Sequence, residues 1–250
     1  MLASPSLTPT ALPQVALPPA ARIGPFGYER VKRLIDLCVG SFMLVLAAPV
    51  VALAWALVRL TSRGPGFYSQ ARVGRGGEPF VILKLRTMYH DCETRSGVKW
   101  ATRNDPRVTP VGGILRKLHV DELPQLLNVL RGDMSLIGPR PERPEFVGPL
   151  AQALPNYADR LRVRPGLTGL AQIQLPPDSD LESVRRKLVL DRVYVARCGP
   201  GLDVRLLVGT AVYLCGVSYA GVRRALWLPN PLAALADPLA DTVVETAAHS

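Results

Sequence analysis

The sequence is poor in the residues that build metal centres and disulfide frameworks. Its 250 residues hold four cysteines and three histidines. Cys38, Cys92, Cys198 and Cys215 are scattered, and no two make a CxxC pair. That spacing excludes the disulfide scaffold of a small secreted domain and the ligand pattern of a structural zinc site. The cysteines read instead as small apolar side chains in a reducing compartment. Aromatic residues are only 6% of the chain, and no basic run is interleaved with them, which argues against a stacking platform for single-stranded nucleic acid. Acidic residues are in the minority, 20 against 30 basic ones, for a formal charge of +10. With nucleic acid set aside, that excess points to acidic lipid headgroups or a phosphorylated substrate. The length allows one sizeable core, and no internal repeat divides it.

What is present begins with a leader over residues 1–27, rich in Ala, Pro, Leu, Ser and Thr and without periodicity. It lacks the basic-then-apolar order of a signal peptide. A basic amphipathic lead-in, Tyr28 to Asp36, runs into Leu37–Val58, which contains no charged residue. Twenty-two residues at ~1.5 Å each reach ~33 Å, enough for a hydrocarbon core of ~30 Å. Both flanks are basic, with Arg59 and Arg63 following, so the positive-inside rule asks for both ends on the cytoplasmic side. Pro49, near the midpoint, removes one backbone hydrogen bond and bends a helix. A re-entrant hairpin broken at Ala48–Pro49 satisfies both demands; a straight span would place Arg59 and Arg63 outside. A second apolar stretch, Leu206 to Val222, is interrupted by glycine and is as well suited to the interface or the core as to a span.

Beyond the apolar segment, two short runs around Gly74–Gly77 predict a β-hairpin. Lys84 and Arg86, two apart in its second strand, share a face and either aim two cations at one site or lie in solvent. Next come Asp121 and Glu122, ahead of Pro124 and a stripe at Leu123, Leu126, Leu127 and Leu130. The stripe has the i, i+3, i+4, i+7 spacing of an amphipathic helix of about three turns. Asp121–Glu122 at its start is either an ordinary cap or a carboxylate pair presented to a phosphate at the positive helix end. Arg140 lies between Pro139 and Pro141, so its backbone is fixed and its guanidinium suits a phosphate. Residues 144–163 predict an amphipathic helix broken near Pro155, residues 179–197 a charged helix, and residues 226–250 a loose tail.

In this order the motifs resemble the bacterial sugar transferases of the polyprenyl-phosphate hexose-1-phosphate transferase type, the monotopic phosphoglycosyl transferases. The matching stretches are Lys32-Arg33-Leu34-Ile35-Asp36, Lys84-Leu85-Arg86-Thr87-Met88, Leu115-Arg116-Lys117 and Asp121-Glu122-Leu123-Pro124-Gln125. They continue with Gly132-Asp133-Met134-Ser135, Gly138-Pro139-Arg140-Pro141, Arg164-Pro165-Gly166 with Thr168-Gly169, and Asp191 with Tyr194. The resemblance covers about residues 28–222.

That resemblance implies an α/β fold: a compact, mostly helical catalytic domain (residues 64–225) with a short β-hairpin, a re-entrant membrane helix (residues 28–63) and interfacial amphipathic helices. It implies transfer of a sugar-1-phosphate from a nucleotide diphosphate sugar to undecaprenyl phosphate, with Asp121 as nucleophile and Mg²⁺ as cofactor. Asp121 and Glu122 are then the candidate metal ligands, with Glu122 alternatively handling a proton. Arg116, Arg140 and Arg164 become candidate phosphate clamps, joined by Lys84 and Arg86. The expected partners are the two substrates and membrane lipids rather than nucleic acid, with a homodimer left open. The expected location is the cytoplasmic face of the bacterial inner membrane. Two positions depart from the family pattern. Ala48 stands where a serine often precedes the breaking proline, and His119-Val120 precedes the dyad in place of a small polar residue and Leu. A non-enzymatic basic membrane protein would need the apolar segment and the charge, but not the dyad.

Overall fold

A computed structural model describes residues 28–92, 94, 97, 102 and 104–230; the predicted leader and residues 231–250 of the tail lie outside them. The chain opens with α1 (Tyr28–Thr61), 34 residues long and about 51 Å at ~1.5 Å per residue. Its buried residues are Tyr28, Asp36, Gly40, Ala47, Ala54 and Val58. Steps of four, seven and eight keep these on one side of a helix. The opposite side is apolar and open: Phe42, Val45, Leu46, Leu53 and Leu60 are all exposed. Only 17% of its most apolar stretch is buried, so α1 is not a core helix of the soluble kind, and it is long and apolar enough to cross a membrane.

The break expected at Ala48–Pro49 falls within α1. Pro49 lies inside one continuous helix. Ala47 before it and Ala54 after it are both buried against the domain, which supports the helix on either side of the missing hydrogen bond. The amide lost at Pro49 would have bonded to Val45, whose side chain is 72% exposed, so no packed layer is disturbed there.

The predicted hairpin forms from β1 (Phe67–Val73) and β2 (Pro79–Leu85), antiparallel with Phe67 opposite Leu85, around a turn at Arg75–Gly77. Next come α2 (Pro110–Lys117), a 3₁₀ turn (Val120–Gln125) and α3 (Leu126–Arg131). β3 (Ser135–Ile137) pairs in parallel with β4 (Gly166–Thr168), and between them lie α4 (Pro144–Ala153) and a second 3₁₀ turn (Tyr157–Arg162). α4 ends ahead of Pro155, as its sequence predicts. α5 (Leu181–Arg197) is closed at its start by Asp180, which accepts from the Ser183 amide at 2.8 Å while Ser183 Oγ accepts back, a capping box. The second apolar stretch resolves into α6 (Pro200–Leu214) and α7 (Tyr219–Ala225), with Leu202 and Leu206 in the core and Val204 and Val208 outside.

The main core joins α1, α3, β3, α5 and α6 around Leu126, Val129, Met134, Leu190 and Leu206. Leu126 and Val129 are fully buried, each contributing roughly 1.5–3 kcal/mol by removal from water. These two anchor the helix that follows the carboxylate pair, which is how the core reaches the site.

Candidate active site

The dyad is placed by the ends of two helices. α2 begins with Thr109 accepting from the Gly112 amide at 2.9 Å and Pro110 in the first turn. A Cβ on Gly112 would fall 2.0 Å from the Thr87 carbonyl oxygen, so only glycine lets α2 lie this close to the chain after β2. That approach puts Arg116 on Thr87: its Nε donates to Thr87 Oγ1 at 2.8 Å. α2 stops at Leu118, and His119 takes a left-handed conformation with φ of 56°. The chain thereby turns sharply into Val120–Gln125, carrying Asp121 and Glu122 in the first 3₁₀ turn.

The three-turn helix predicted from the leucine stripe is therefore corrected to a 3₁₀ turn and a short α-helix. Pro124 has no N–H to donate, and the α-helical ladder is set only from Leu126. Of the stripe, Leu126 is buried and Leu123 packs against the core, Leu127 and Leu130 are half-buried, and the neighbouring Val129 joins Leu126 in the core. Two other side chains then lock α3. Asn128 Oδ1 accepts from the Leu83 amide at 3.1 Å and its Nδ2 donates to the Val81 carbonyl at 2.7 Å, extending the open edge of β2. Arg33 on α1 donates to the carbonyls of Val129 and Leu130 at 2.5 and 2.7 Å, closing the C-terminal end of α3.

Around the dyad, the cations converge on Glu122. Lys84 Nζ lies 2.9 Å from Glu122 Oε1; Arg140 Nη2 lies 2.5 Å from the same oxygen and Nη1 3.3 Å from Oε2. Burial pushes the Glu122 carboxyl up, but the charges and hydrogen bonds of Arg140 and Lys84 outweigh it and hold the group well below the usual range. Lys84, itself desolvated, is lowered from the ordinary lysine value despite Glu122. Asp121 is the opposite case. It is buried, at 7% exposure, and no hydrogen bond or ion pair holds its carboxyl among the described residues. Burial, then the charge of Glu122, raises it above the usual carboxylate range, while Lys84, Arg116 and Arg140 pull the other way. One carboxylate is held by two cations, and the other has no hydrogen bond or ion pair among the described residues.

Of the five predicted phosphate-binding cations, Lys84, Arg116 and Arg140 are thus brought to the dyad. Arg164 is not shown to reach it: β4 sets its backbone beside Gly138, and its guanidinium has no hydrogen bond or ion pair among the described residues. Arg86 turns away. It donates to Ser62 O and Ser62 Oγ at 2.9 Å each, and to the Arg63 carbonyl, closing the end of α1. His119 is exposed, its ring 6.0 Å from that of Tyr213. Pro49 lies inside α1, away from these groups in the chain. Among the described residues no cluster of three or more His, Cys, Asp or Glu forms a ready metal cage.

The family model for bacterial sugar transferases matches residues 27–216. The chain belongs to that family. Among similar proteins, the UDP-glucose:undecaprenyl-phosphate glucose-1-phosphate transferase of Caulobacter vibrioides is 44% identical over 181 residues, 72% of this chain and 67% of that protein. A UDP-N-acetylgalactosamine-undecaprenyl-phosphate N-acetylgalactosaminephosphotransferase of Aeromonas hydrophila is 40% identical over 73% of this chain and 43% of its own length. The exopolysaccharide production protein PSS of Rhizobium leguminosarum is 37% identical over 72% of this chain and 93% of its own length.

In this transferase the support of the site includes residues that sequence reasoning gave no role. Asn128 carries a polar signal, an amide in the middle of a leucine stripe. Arg160 carries none beyond its basic neighbours. Its Nη2 donates to the Arg140 carbonyl at 2.7 Å, its Nη1 to Tyr157 Oη at 2.9 Å, and it pairs with Asp191 at 2.9 Å. The rigidity predicted for Arg140 from its flanking prolines is therefore supplied also by a half-buried arginine twenty residues on.

Proposed function

We propose that this chain transfers a sugar-1-phosphate from a UDP-sugar to undecaprenyl phosphate through a covalent intermediate on Asp121. The observation that carries the reading is the contrast within the dyad: Glu122 is ion-paired through Oε1 with Lys84 and Arg140, while Asp121 is buried beside the same cations without a partner among the described residues. A nucleophilic carboxylate must be free and must face its electrophile; Asp121 meets the first condition, and the surrounding cations favour a diphosphate next to it.

In this reading an Asp121 oxygen attacks the β-phosphorus of the donor, the bond from that phosphorus to the bridging oxygen breaks, and UMP leaves with the electron pair. A phosphate oxygen of undecaprenyl phosphate then attacks the same phosphorus, breaks the bond to Asp121 and restores the carboxylate. Arg116 and Arg140 bind and orient the diphosphate; Lys84 and Arg140 together hold Glu122 and offset the charge that gathers during transfer.

The residues fit Mg²⁺. That ion takes one or two carboxylates and completes its octahedron with waters and substrate phosphates, so two adjacent acidic side chains without a larger cage suit it. Asp121, with its unpartnered carboxyl, and the less engaged Oε2 of Glu122 would hold it. When bound, it neutralises the diphosphate and stabilises the departing phosphate.

In this reading the open apolar side of α1 seats the enzyme in the bacterial inner membrane, with its catalytic domain on the cytoplasmic face. The lipid acceptor then never leaves the bilayer. The product lipid would serve as the first membrane intermediate of a surface polysaccharide. The test is UMP release from UDP-sugars by purified enzyme with undecaprenyl phosphate and Mg²⁺, together with mass spectrometry of the enzyme exposed to donor alone. A hexose-phosphate adduct on the peptide holding Asp121 is the expected result. Release of UMP by Asp121→Asn at the normal rate would defeat the mechanism.

A further inference from the structure

The loop that carries Arg140 is gripped by its carbonyls. Pro139 and Pro141 have no N–H to donate, so the chain cannot extend the β3 ladder through them and offers oxygens instead. Four consecutive carbonyls are taken. Pro139 accepts from the Gly166 amide and Glu142 from the Val73 amide, each at 2.9 Å. The two between them are taken by side chains: the Arg140 carbonyl by Arg160 Nη2 at 2.7 Å, and the Pro141 carbonyl by Arg72 Nη1 at 3.1 Å. These donors come from β4, β1 and the second 3₁₀ turn, so three separate elements meet on one short stretch.

Both arginines come with a carboxylate of their own. Arg160 pairs with Asp191 Oδ2 at 2.9 Å, donates to Tyr157 Oη at 2.9 Å and lies 5.3 Å from the centroid of that ring. Arg72 Nη2 donates to Gln70 Oε1 at 2.8 Å, and its Nη1 lies 3.8 Å from Glu142 Oε1. Their charges are answered locally, and what each brings to the site is a fixed bond to a backbone oxygen. Arg140 is the contrasting case. Its side chain is 44% exposed, and among the described residues its one ion pair is with Glu122. Packing does not hold so open a guanidinium; its place is set by Glu122 and by the backbone it leaves from. That matters because a misplacement of ~1 Å at a reacting site can lower turnover about 10²-fold.

We infer that Arg72 and Arg160 are positioning residues of the transfer reaction: by bonding the carbonyls of Pro141 and Arg140 they fix the backbone from which the Arg140 guanidinium reaches the diphosphate. The inference rests on the transferase reading above. It extends the working site to β1 and, through Asp191, to α5. The planar fork of each arginine is essential to the role. A lysine at position 160 keeps a positive charge for Asp191, but it replaces the fork that meets Asp191, Tyr157 and the Arg140 carbonyl together by a single nitrogen on a flexible stem.

The test is a pair of double-mutant cycles: Arg160→Lys and Arg72→Lys, each alone and combined with Arg140→Ala. UMP release from a UDP-sugar and calorimetric affinity for UDP with Mg²⁺ are measured for every variant, alongside the melting temperature. Each lysine variant alone should lose about tenfold or more in donor kcat/KM and in UDP affinity, while its melting temperature stays close to that of wild type. In the Arg140→Ala background the same substitutions should change UDP affinity by less than about twofold, because they act through a side chain already removed. Equal losses in both backgrounds overturn the inference, since the arginines would then act on the ligand themselves or on the fold at large. Lysine variants that behave as wild type overturn it too, because charge without the fork would suffice. If Arg160→Lys fails to fold, the Arg72→Lys cycle decides. UDP affinity needs no turnover, so the two readings fail separately. Coupled UDP affinities in an enzyme that releases no UMP leave the positioning intact and defeat the transferase reading, whereas UMP release with uncoupled affinities defeats the positioning alone.

Discussion

Two buried carboxylate clusters can be set side by side. In one, Asp203 at the start of α6 accepts from Tyr28 at 2.6 Å, from Lys32 at 2.5 Å and from Tyr194 at 3.0 Å. Every oxygen is used, and three separate stretches, the start of α1, α5 and α6, are tied at one point. In the other, two adjacent carboxylates meet Lys84, Arg116 and Arg140, and one of the two remains unpartnered. The first is complete and acts as a latch that fixes the membrane helix to the catalytic domain. The second leaves one carboxylate unpaired among the described residues, which is what singles it out as the candidate site.

The comparison can be broken in four places. Asp121→Asn should lower turnover by at least about 10³-fold while the melting temperature holds or rises, because a raised, unpaired buried acid is replaced by a neutral group. A melting temperature that falls by many degrees would show Asp121 to be structural after all. Lys84→Met comes next, with a loss of about 10²-fold in kcat. It should also move the pH profile. Asp121 must be ionised to attack, so activity is present above its pKa and is lost as pH falls through it. Since burial and Glu122 raise that pKa, the acid limb lies above the usual carboxylate range, and removing the Lys84 charge moves it higher still. Glu122, held well below its ordinary value, adds no limb in that window. A limb that stays in place in Lys84→Met would mean another group titrates.

The latch should answer in the other currency. Asp203→Ala leaves Lys32 and the Tyr28 hydroxyl without their acceptor, while Tyr194 can still donate to the Ile137 carbonyl, and should cost about 3 kcal/mol of stability, read by denaturant unfolding, with kcat of the folded enzyme within about threefold. A collapse of kcat at intact stability would join the two clusters into one. His119→Gly should give the smallest change. It relieves a left-handed backbone at a cost saved of about 1 kcal/mol, and activity should be retained, since the exposed imidazole does not contact the dyad. Loss of activity in His119→Gly, recovered in His119→Asn, would instead show the turn geometry to be essential.

Much of this was legible in the chain. The apolar run, the hairpin around Gly74–Gly77, the helix stop before Pro155 and the carboxylate pair all follow from local pattern, and the structure keeps each of them. The leucine stripe packs only in part, through Leu126 and Leu123, with Leu127 and Leu130 half-buried. It was misread in geometry because Pro124 and the left-handed His119 act on the backbone, whereas periodicity reports only which side chains face the core. Pro49 raises a different question. Proline states the local cost of one lost hydrogen bond, but whether the helix yields depends on what supports it, and here Ala47 and Ala54 are buried on either side.

The division among the cations is the clearest case of what the chain could not decide. Lys84 and Arg86 are two residues apart with equal charge, and sequence gives them equal standing. Arg86 follows the last residue of β2 and meets the open carbonyls of α1, so it is consumed there; Lys84 meets Glu122. By itself the sequence determined the membrane-seeking helix, the acidic pair and the family, because these are written in composition, order and short spacing. Only the tertiary structure decided that Glu122 is ion-paired while Asp121 has no partner among the described residues, because that depends on which distant side chains share a few ångströms, and distance in space is not encoded by distance along the chain.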